Sequence, residues 1–525
     1  MNTSAFPNES QIPQQYRLKK YVAQQQYLSG GRLEKWDGRF QKVYSPINEW
    51  QNGHLMARQI GEYPLLGRDQ SLEALEAACS AFDNGDGPWP SSPLHERVAA
   101  VERCLSAMNT EREEISRMIM WEIGKNYRDS LKEFDRTIDY VRDTIRILLE
   151  KDQITQQLKP EQEIIGSIKR VPRGVVLCVG PYNYPLYETF TSLAPALLMG
   201  NTVLCKPPRF GALLFGPLLE IFRSCFPAGV INVLFGRGED LLPPLLASGK
   251  IDTLAFIGTS ATADHLKRLH PKQHRLKVVL GLEAKNPALI LPDADLTVTC
   301  RDAALGALAF NGQRCAALKI FFVHSGIAKE FIEQFLEQIL LYKCGMPWED
   351  EVFVTPVADP NRIGYLNGLI RDAEAKGAVI MNRNGGMSEG NLFYPALLYP
   401  VKESMRIYNE EQFGPLIPVV PYTDIKEPLR YIQQSRFGQQ ASIFGNDSQT
   451  VSRVANVLSH QVSRININCK CQRTPDSFPF AGRKDSGEGI LSVRDSLDVF
   501  SDIACIAARN TSNDRKLLDR IFLDK

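Results

Sequence analysis

Among the residue types able to do covalent chemistry, one cysteine stands where a nucleophile is well served. Phe310-Asn311-Gly312-Gln313-Arg314-Cys315 places a thiol in a Gly-containing polar turn beside a cation. The thiolate is the attacking form, and a neighbouring positive charge or a helix N-terminus lowers the thiol pKa. The competing reading is strong, because most cysteines are small buried hydrophobes and the chain has 11 of them. Cys178 and Cys205, inside apolar runs, fit that second reading. Residues 180–188, GPYNYPLYE, put Asn183 between aromatics and ahead of Pro185. Asn in that setting suits a turn, and its amide also suits donation to a developing oxyanion. Residues 235–240, FGRGED, contain G-x-G without a third glycine. That is a weak dinucleotide fingerprint and serves equally as a plain turn.

These residues need elements to hold them. GVVLCVG (174–180), NTVLCKP (201–207), GVINVLFG (229–236) and DTLAFIG (252–258) are short apolar runs bounded by Gly or Pro. The stretches between them are long enough for helices, which predicts βαβ units and a parallel sheet. A second alternating region runs from KVVLGLEAKNPALIL to SRININC. Upstream, Ser92-Pro93 reads as N-cap and first helical residue, with Leu94, Val98, Val101, Leu105 and Met108 at helical spacing. Thr110 with Glu113 predicts a capping box for the next helix. Leu131, Phe134, Ile138, Val141, Ile145 and Leu148 form one stripe of a third. Residues 1–60 read as a polar, Gln-rich arm with short strands such as FQKVYS. Residues 153–171 predict a projecting hairpin, and NDRKLLDRIFLDK a final amphipathic helix.

The chain has 525 residues, 61 Lys+Arg against 60 Asp+Glu, 44% hydrophobic and 23% charged residues. That composition excludes disordered, collagenous and coiled-coil classes, and the length suggests two to four domains. A net charge of +1 gives no electrostatic case for nucleic acid or an acidic membrane surface as main partner. Cys469 and Cys471 lie too close for a C-x-x-C site, so no metal is expected. The thiols read as reduced and the compartment as cytoplasmic. The first ten residues lack the basic start and apolar core of a signal peptide. The apolar region around LAPALLMGNTVLC falls short of the roughly 20 residues a membrane span needs.

PYNYP, KPPR after a strand, LAFIGTS, LGLEAKNP, NGQRC, EEQFGP and SFPFAGRKDSG, taken in series, resemble the aldehyde dehydrogenase superfamily. They occur in that family's order between residues 90 and 505. KPP after the strand, GQRC followed by a Lys, and SFPF are similar to the non-phosphorylating, NADP-dependent glyceraldehyde-3-phosphate dehydrogenases. The resemblance implies that Cys315 attacks an aldehyde, that Asn183 and the Cys315 N–H stabilise the oxyanion, and that a thioester on Cys315 is then hydrolysed. For the cofactor it implies Lys206 at the adenosine ribose, Glu411 at the nicotinamide ribose, Phe413 packed nearby, and Gly258 and Thr259 by the pyrophosphate. Arg209, three positions after the lysine, replaces the Glu of many NAD-preferring relatives and offers charge to a 2′-phosphate, which favours NADP. For a phosphorylated substrate the candidates are Arg136, Arg314 and Arg473, with Tyr184, Phe478 and Phe480 as pocket walls. Surface roles remain open for each arginine.

One position departs from the family. Hydrolytic members carry a Glu that activates water, and the register fixed by Lys285-Asn286-Pro287 puts Gly281 there. Glu283 stands two residues on and is the candidate replacement, although two strand residues displace it by roughly 6–7 Å. General-base contact needs about 2.6–3.2 Å or one bridging water. The other reading of Glu283 is a surface or salt-bridged residue, paired with Lys285. Transfer of the acyl group to coenzyme A, or a non-catalytic scaffold, are the alternatives to hydrolysis. The expected fold is α/β and aldehyde dehydrogenase-like, in three parts. Residues 1–149 and 171–282 form a Rossmann-like cofactor domain, 283–487 a catalytic α/β domain, and 150–170 with 488–525 a small β oligomerisation unit and tail. The resemblance and the hairpin edge suggest a homodimer or homotetramer.

Overall fold

A computed structural model describes residues 5–155 and 157–523. Asp524 and Lys525, the end of the predicted last helix, lie outside the described residues, as do Gln156 in the predicted hairpin and the first four residues of the polar arm.

The apolar runs at 174–258 form the centre of an eight-stranded sheet. Its order is Gly487–Glu488, Lys277–Gly281, Thr253–Ile257, Val175–Val179, Thr202–Lys206, Ile231–Val233, Gln26–Ser29 and Arg32–Lys35. The five strands from Lys277–Gly281 to Ile231–Val233 are parallel, and both edges are antiparallel. Chain order reverses between Val175–Val179 and Thr253–Ile257, which opens a crevice beyond the carboxyl ends of those strands. Gly487–Glu488 joins this sheet from the far end of the region expected to belong to the second domain.

A second, seven-stranded sheet runs Val379–Ile380, Ala396–Tyr399, Leu416–Tyr422, Leu318–His324, Asn286–Ile290, Gln440–Phe444 and Arg464–Ile467. Only its first strand is antiparallel. The two-residue side-chain period divides the central strand Leu318–His324: Ile320 and Phe322 pack in one core, Phe321 and Val323 in another across the sheet. Strands buried on both faces read as continuous apolar runs for this reason.

The helices fall at Leu94–Thr110, Arg112–Ile123 and Tyr127–Thr155, and Phe134, Ile138, Val141, Ile145 and Leu148 are buried as their spacing requires. The first begins after Pro93, one residue later than expected. The expected capping box at Thr110 is absent, because Thr110 is the last residue of the preceding helix and its hydroxyl donates back to Ala107 O at 2.7 Å. The helix Tyr127–Thr155 runs past residue 149, the expected end of the first domain segment. The hairpin forms as Lys159–Glu161 and Ile164–Pro172, and Ser501–Arg509 of the same chain pairs with the long strand over its whole length. The last helix, Ser512–Leu523, packs Leu518 and Phe522 against Ile165 of this small sheet. Among the described residues no helix is long and apolar enough to cross a membrane, and no cluster of His, Cys, Asp or Glu could hold a metal ion.

Candidate active site

Four parallel strands end on one cavity of about 720 Å³. Gly180, Lys206, Ile257 with Gly258, and Gly281 stand at or just beyond their carboxyl ends. The second sheet contributes residues that precede its strands: Cys315, Glu411 with Phe413, and Gln439. The crevice created by strand order is therefore closed by the loops of the other sheet.

Cys315 arrives through a left-handed turn, with φ of 47° at Phe310, 57° at Asn311 and 69° at Gly312. The two non-glycine residues cost on the order of 1–3 kcal/mol each. Asn311 offsets this by donating to Thr355 O and accepting from Thr355 N, both at 2.9 Å. A Cβ on Gly312 would lie 2.7 Å from Gly414 O and 2.8 Å from Ala307 O, so the turn admits only glycine there. Beyond it the Cys315 carbonyl accepts from Asn286 Nδ2 at 2.7 Å and Lys319 Nζ at 3.0 Å. Burial raises the Cys315 thiol above its ordinary pKa and Glu188 adds to this, while Lys319 and Arg473 pull it down. Arg314, expected to be the activating cation, points away: its Nη2 donates to Gly306 O at 3.2 Å and it does not line the cavity. Adjacency in sequence fixes the Arg314 backbone but not the direction of its side chain.

Asn183 lines the cavity with Cys315. Its Nδ2 donates to Gln313 O at 2.9 Å, which leaves the second amide N–H for a ligand. Lys125 Nζ fixes this loop by donating to Asn183 O at 2.8 Å and pairing with buried Glu133, which accepts from Leu186 N and Tyr187 N. Tyr184, expected in the pocket wall, instead stacks beneath the loop, its ring 3.6 Å from Lys125 Nζ and edge-on to Phe310.

At the opposite end of the cavity Lys206 is buried, its ammonium has no hydrogen-bond partner among the described residues, and burial pushes its pKa down to about 8. Arg209 is exposed at the rim, with its guanidinium 5.2 Å from the Phe210 ring centre and no carboxylate partner. Thr259 caps the helix Ser260–Leu269, its hydroxyl accepting from Thr262 N at 3.3 Å. A Cβ on Gly258 would reach the Phe256 ring at 2.4 Å, so the backbone lies bare on the wall. Glu411 accepts from Ala284 N at 3.1 Å and pairs with Lys319. Phe413, at φ 42°, packs edge-on against Tyr182. An unpartnered ammonium, a free guanidinium and a helix N-terminus along one wall suit an anionic dinucleotide.

Two of the three candidate arginines meet on Tyr187. Arg136 is 4.1 Å from that ring and binds Asp476 through two contacts of 2.6 and 3.0 Å. Arg473 is 4.9 Å from it and pairs with Glu188, while its Nη2 is buried without a partner. Neither arginine lines the cavity, but Glu188 does, as does Phe480, 4.6 Å from the Arg473 guanidinium. Phe478 is 56% exposed and so walls nothing.

Residues 51–506 match the aldehyde dehydrogenase family. The chain belongs to that family. It is 30% identical over 472 residues to an NADP-dependent glyceraldehyde-3-phosphate dehydrogenase of Streptococcus equinus, covering 88% of this chain and 94% of the relative. It is 28% identical over 440 residues to the enzyme of the same name from Pisum sativum, covering 82% and 87%. The crystal structure of an NADP-dependent glyceraldehyde-3-phosphate dehydrogenase from Bacillus halodurans C-125, complexed with NADP, superposes with a TM-score of 0.84 at 30% identity, covering 93% of this chain and all of that one.

In this aldehyde dehydrogenase Gly281 ends its strand on the cavity, and Ile257 Cγ1 lies 3.3 Å from where a Cβ would stand. Glu283 lines the same cavity, but one of its oxygens accepts from both Ser260 N and Ser260 Oγ at 2.9 Å, at the first turn of the helix behind Thr259. It is not paired with Lys285, whose ammonium donates to Glu410 O and Gln412 Oε1. FGRGED opens the helix Gly238–Ala247 on a separate surface, so Gly236 is a turn residue and Gly238 the first residue of the helix. Sequence reasoning missed Glu188, Asp476 and Gln439. Glu188 stood inside a quoted motif, and its signal was a carboxylate opening the otherwise apolar helix Tyr187–Leu198.

Proposed function

We propose that this aldehyde dehydrogenase oxidises glyceraldehyde 3-phosphate to 3-phosphoglycerate with NADP, through a thiohemiacetal and then a thioester on Cys315. The reading is carried by one cavity that joins Cys315 and Asn183 to Lys206, Arg209 and Glu411. Cys315 Sγ gives up its proton to solvent and bonds to the aldehyde carbon as the carbonyl π bond opens, and the second Asn183 N–H and the Cys315 N–H donate to the resulting oxyanion. Collapse of that oxyanion to the thioester expels the carbon's hydrogen as hydride, for which NADP, when bound, would supply the acceptor. Lys206 would donate to the adenosine ribose, Glu411 would accept from the nicotinamide ribose, and Arg209 would pair with the 2′-phosphate. The names of the bacterial and plant relatives support the same cofactor and substrate.

For the substrate phosphate the supporting observation is the buried, unpartnered Nη2 of Arg473. One observation favours a second reading, an uncharged hydroxyaldehyde: Glu188 and Asp476 already pair with Arg473 and Arg136. Comparison of kcat/KM for glyceraldehyde 3-phosphate and unphosphorylated glyceraldehyde separates the two. A preference of about 100-fold or more for the phosphate is expected, since an unmet charged donor discriminates strongly. Equal values would leave the second reading. Acid formed without coenzyme A is expected, and acyl transfer only when coenzyme A is added would refute hydrolysis. The proposed setting is cytoplasmic and the assembly a homodimer or homotetramer, which light scattering would measure.

A further inference from the structure

Hydrolysis of an acyl group on Cys315 requires a base for water, and glycine at position 281 supplies none. Five carboxylates line the cavity: Glu188, Glu283, Asp359, Glu410 and Glu411. Glu410 binds the Arg406 guanidinium at 2.8 and 2.9 Å, and Glu411 is held by Lys319 and Ala284 N. Glu283 is turned to Ser260 on the cofactor wall. Asp359 accepts from Asn361 N at 3.1 Å and lies on the side of the cavity shared with Arg209 and Phe210, where it acts on Tyr182 and is not among the charges that shift Cys315.

Glu188 differs from all four. It opens the helix that follows the Asn183 loop, five residues beyond Asn183, so it is carried on the element that positions the oxyanion donor. One of its oxygens pairs with Arg473, and the other has no hydrogen-bond partner among the described residues and is not sealed from solvent. Apart from burial, its charge is the strongest influence that raises the Cys315 thiol. Arg473 holds the side chain in place from the side away from its free oxygen, and Tyr187, Arg136 and Asp476 complete the surroundings.

We propose that Glu188 is the general base that activates water for hydrolysis of the Cys315 thioester. The proposal rests on the aldehyde-oxidation reading. Water forms a bond from oxygen to the acyl carbon as its proton passes to the free Glu188 oxygen. Collapse of the tetrahedral adduct breaks the carbon–sulfur bond and releases the thiolate, which regains a proton from Glu188, and the acid leaves as its carboxylate. No redox change occurs in this half of the cycle.

The test follows NADPH formation on the millisecond scale, with NADP and aldehyde saturating, and takes intact mass after quenching. In Glu188→Gln the burst should stay near one NADPH per subunit while steady turnover falls about 100-fold or more. An acyl adduct on Cys315 should accumulate, and hydroxylamine, which cleaves thioesters without a base, should restore turnover. The retained burst reports an intact site despite the altered pair with Arg473. Glu188→Asp, which keeps the charge, should show the same burst with a smaller loss. Steady turnover of Glu188→Gln within threefold of wild type overturns the proposal, as does a lost burst with no adduct. Accumulation in Glu283→Gln instead would also overturn it. A wild type that forms no NADPH from any aldehyde removes the oxidation reading itself, and is distinguished by the missing first burst.

Discussion

Arg209 stands at the cavity rim without a carboxylate partner among the described residues, which is why we propose that it sets cofactor choice. Arg209→Glu replaces a partner for a 2′-phosphate with an acceptor for a 2′-hydroxyl. The ratio of kcat/KM for NADP over NAD should fall by about 10-fold or more, given the strength of charge-assisted contacts, and an unchanged ratio would refute the role. Among the thiols, the two environments diverge. Burial raises Cys315, whereas a hydrogen bond from Cys104 lowers half-buried Cys225 to about 6. Brief iodoacetamide treatment near neutral pH without cofactor should therefore label Cys225 ahead of Cys315, as peptide mapping would show. That Cys315, Asn183, Lys206 and Glu411 meet in one cavity was legible in the sequence because serial motifs fix their place in the chain order of the strands. Where Arg314 and Tyr184 point was not, since neighbouring backbone atoms leave side-chain direction to packing. Glu188 escaped because its function depends on Arg473, far away in the chain.

At the level of elements, the helix Ser260–Leu269 begins against Glu283 and the bare backbone of Gly258. Glu283→Ala removes the acceptor of one end-of-helix N–H and one hydroxyl, and should cost about 0.5–2 kcal/mol in denaturant unfolding. Gly258→Ala would force the Phe256 ring to move and should weaken NADP binding measured by calorimetry, with the second sheet unaffected. The strands were legible as apolar runs with Gly or Pro boundaries, because a doubly covered strand has no polar face to blur the pattern. Pairing was less so. The hairpin edge that sequence left open is occupied by Ser501–Arg509, and no local signal encodes a partner so distant. Helix ends slipped by a residue where Ser, Thr and Pro compete for the cap.

For the whole molecule, one buried carboxyl ties stability to pH. Glu122 accepts from Ala212 N and Leu213 N, and burial raises its pKa from 4.5 to about 8 against the pull of those donors. Its folded value exceeds its unfolded one, so its contribution is complete below about pH 4.5 and is lost as pH rises through 8. Glu122→Gln keeps an acceptor and has no proton to lose. Its melting temperature should exceed that of wild type at about pH 9 and approach it at about pH 5.

Lys319 belongs to both halves of the cavity, with a single ammonium shared between the Cys315 carbonyl and Glu411. That one nitrogen ties the sulfur-bearing loop to Glu411, so a displacement at either end is felt at the other.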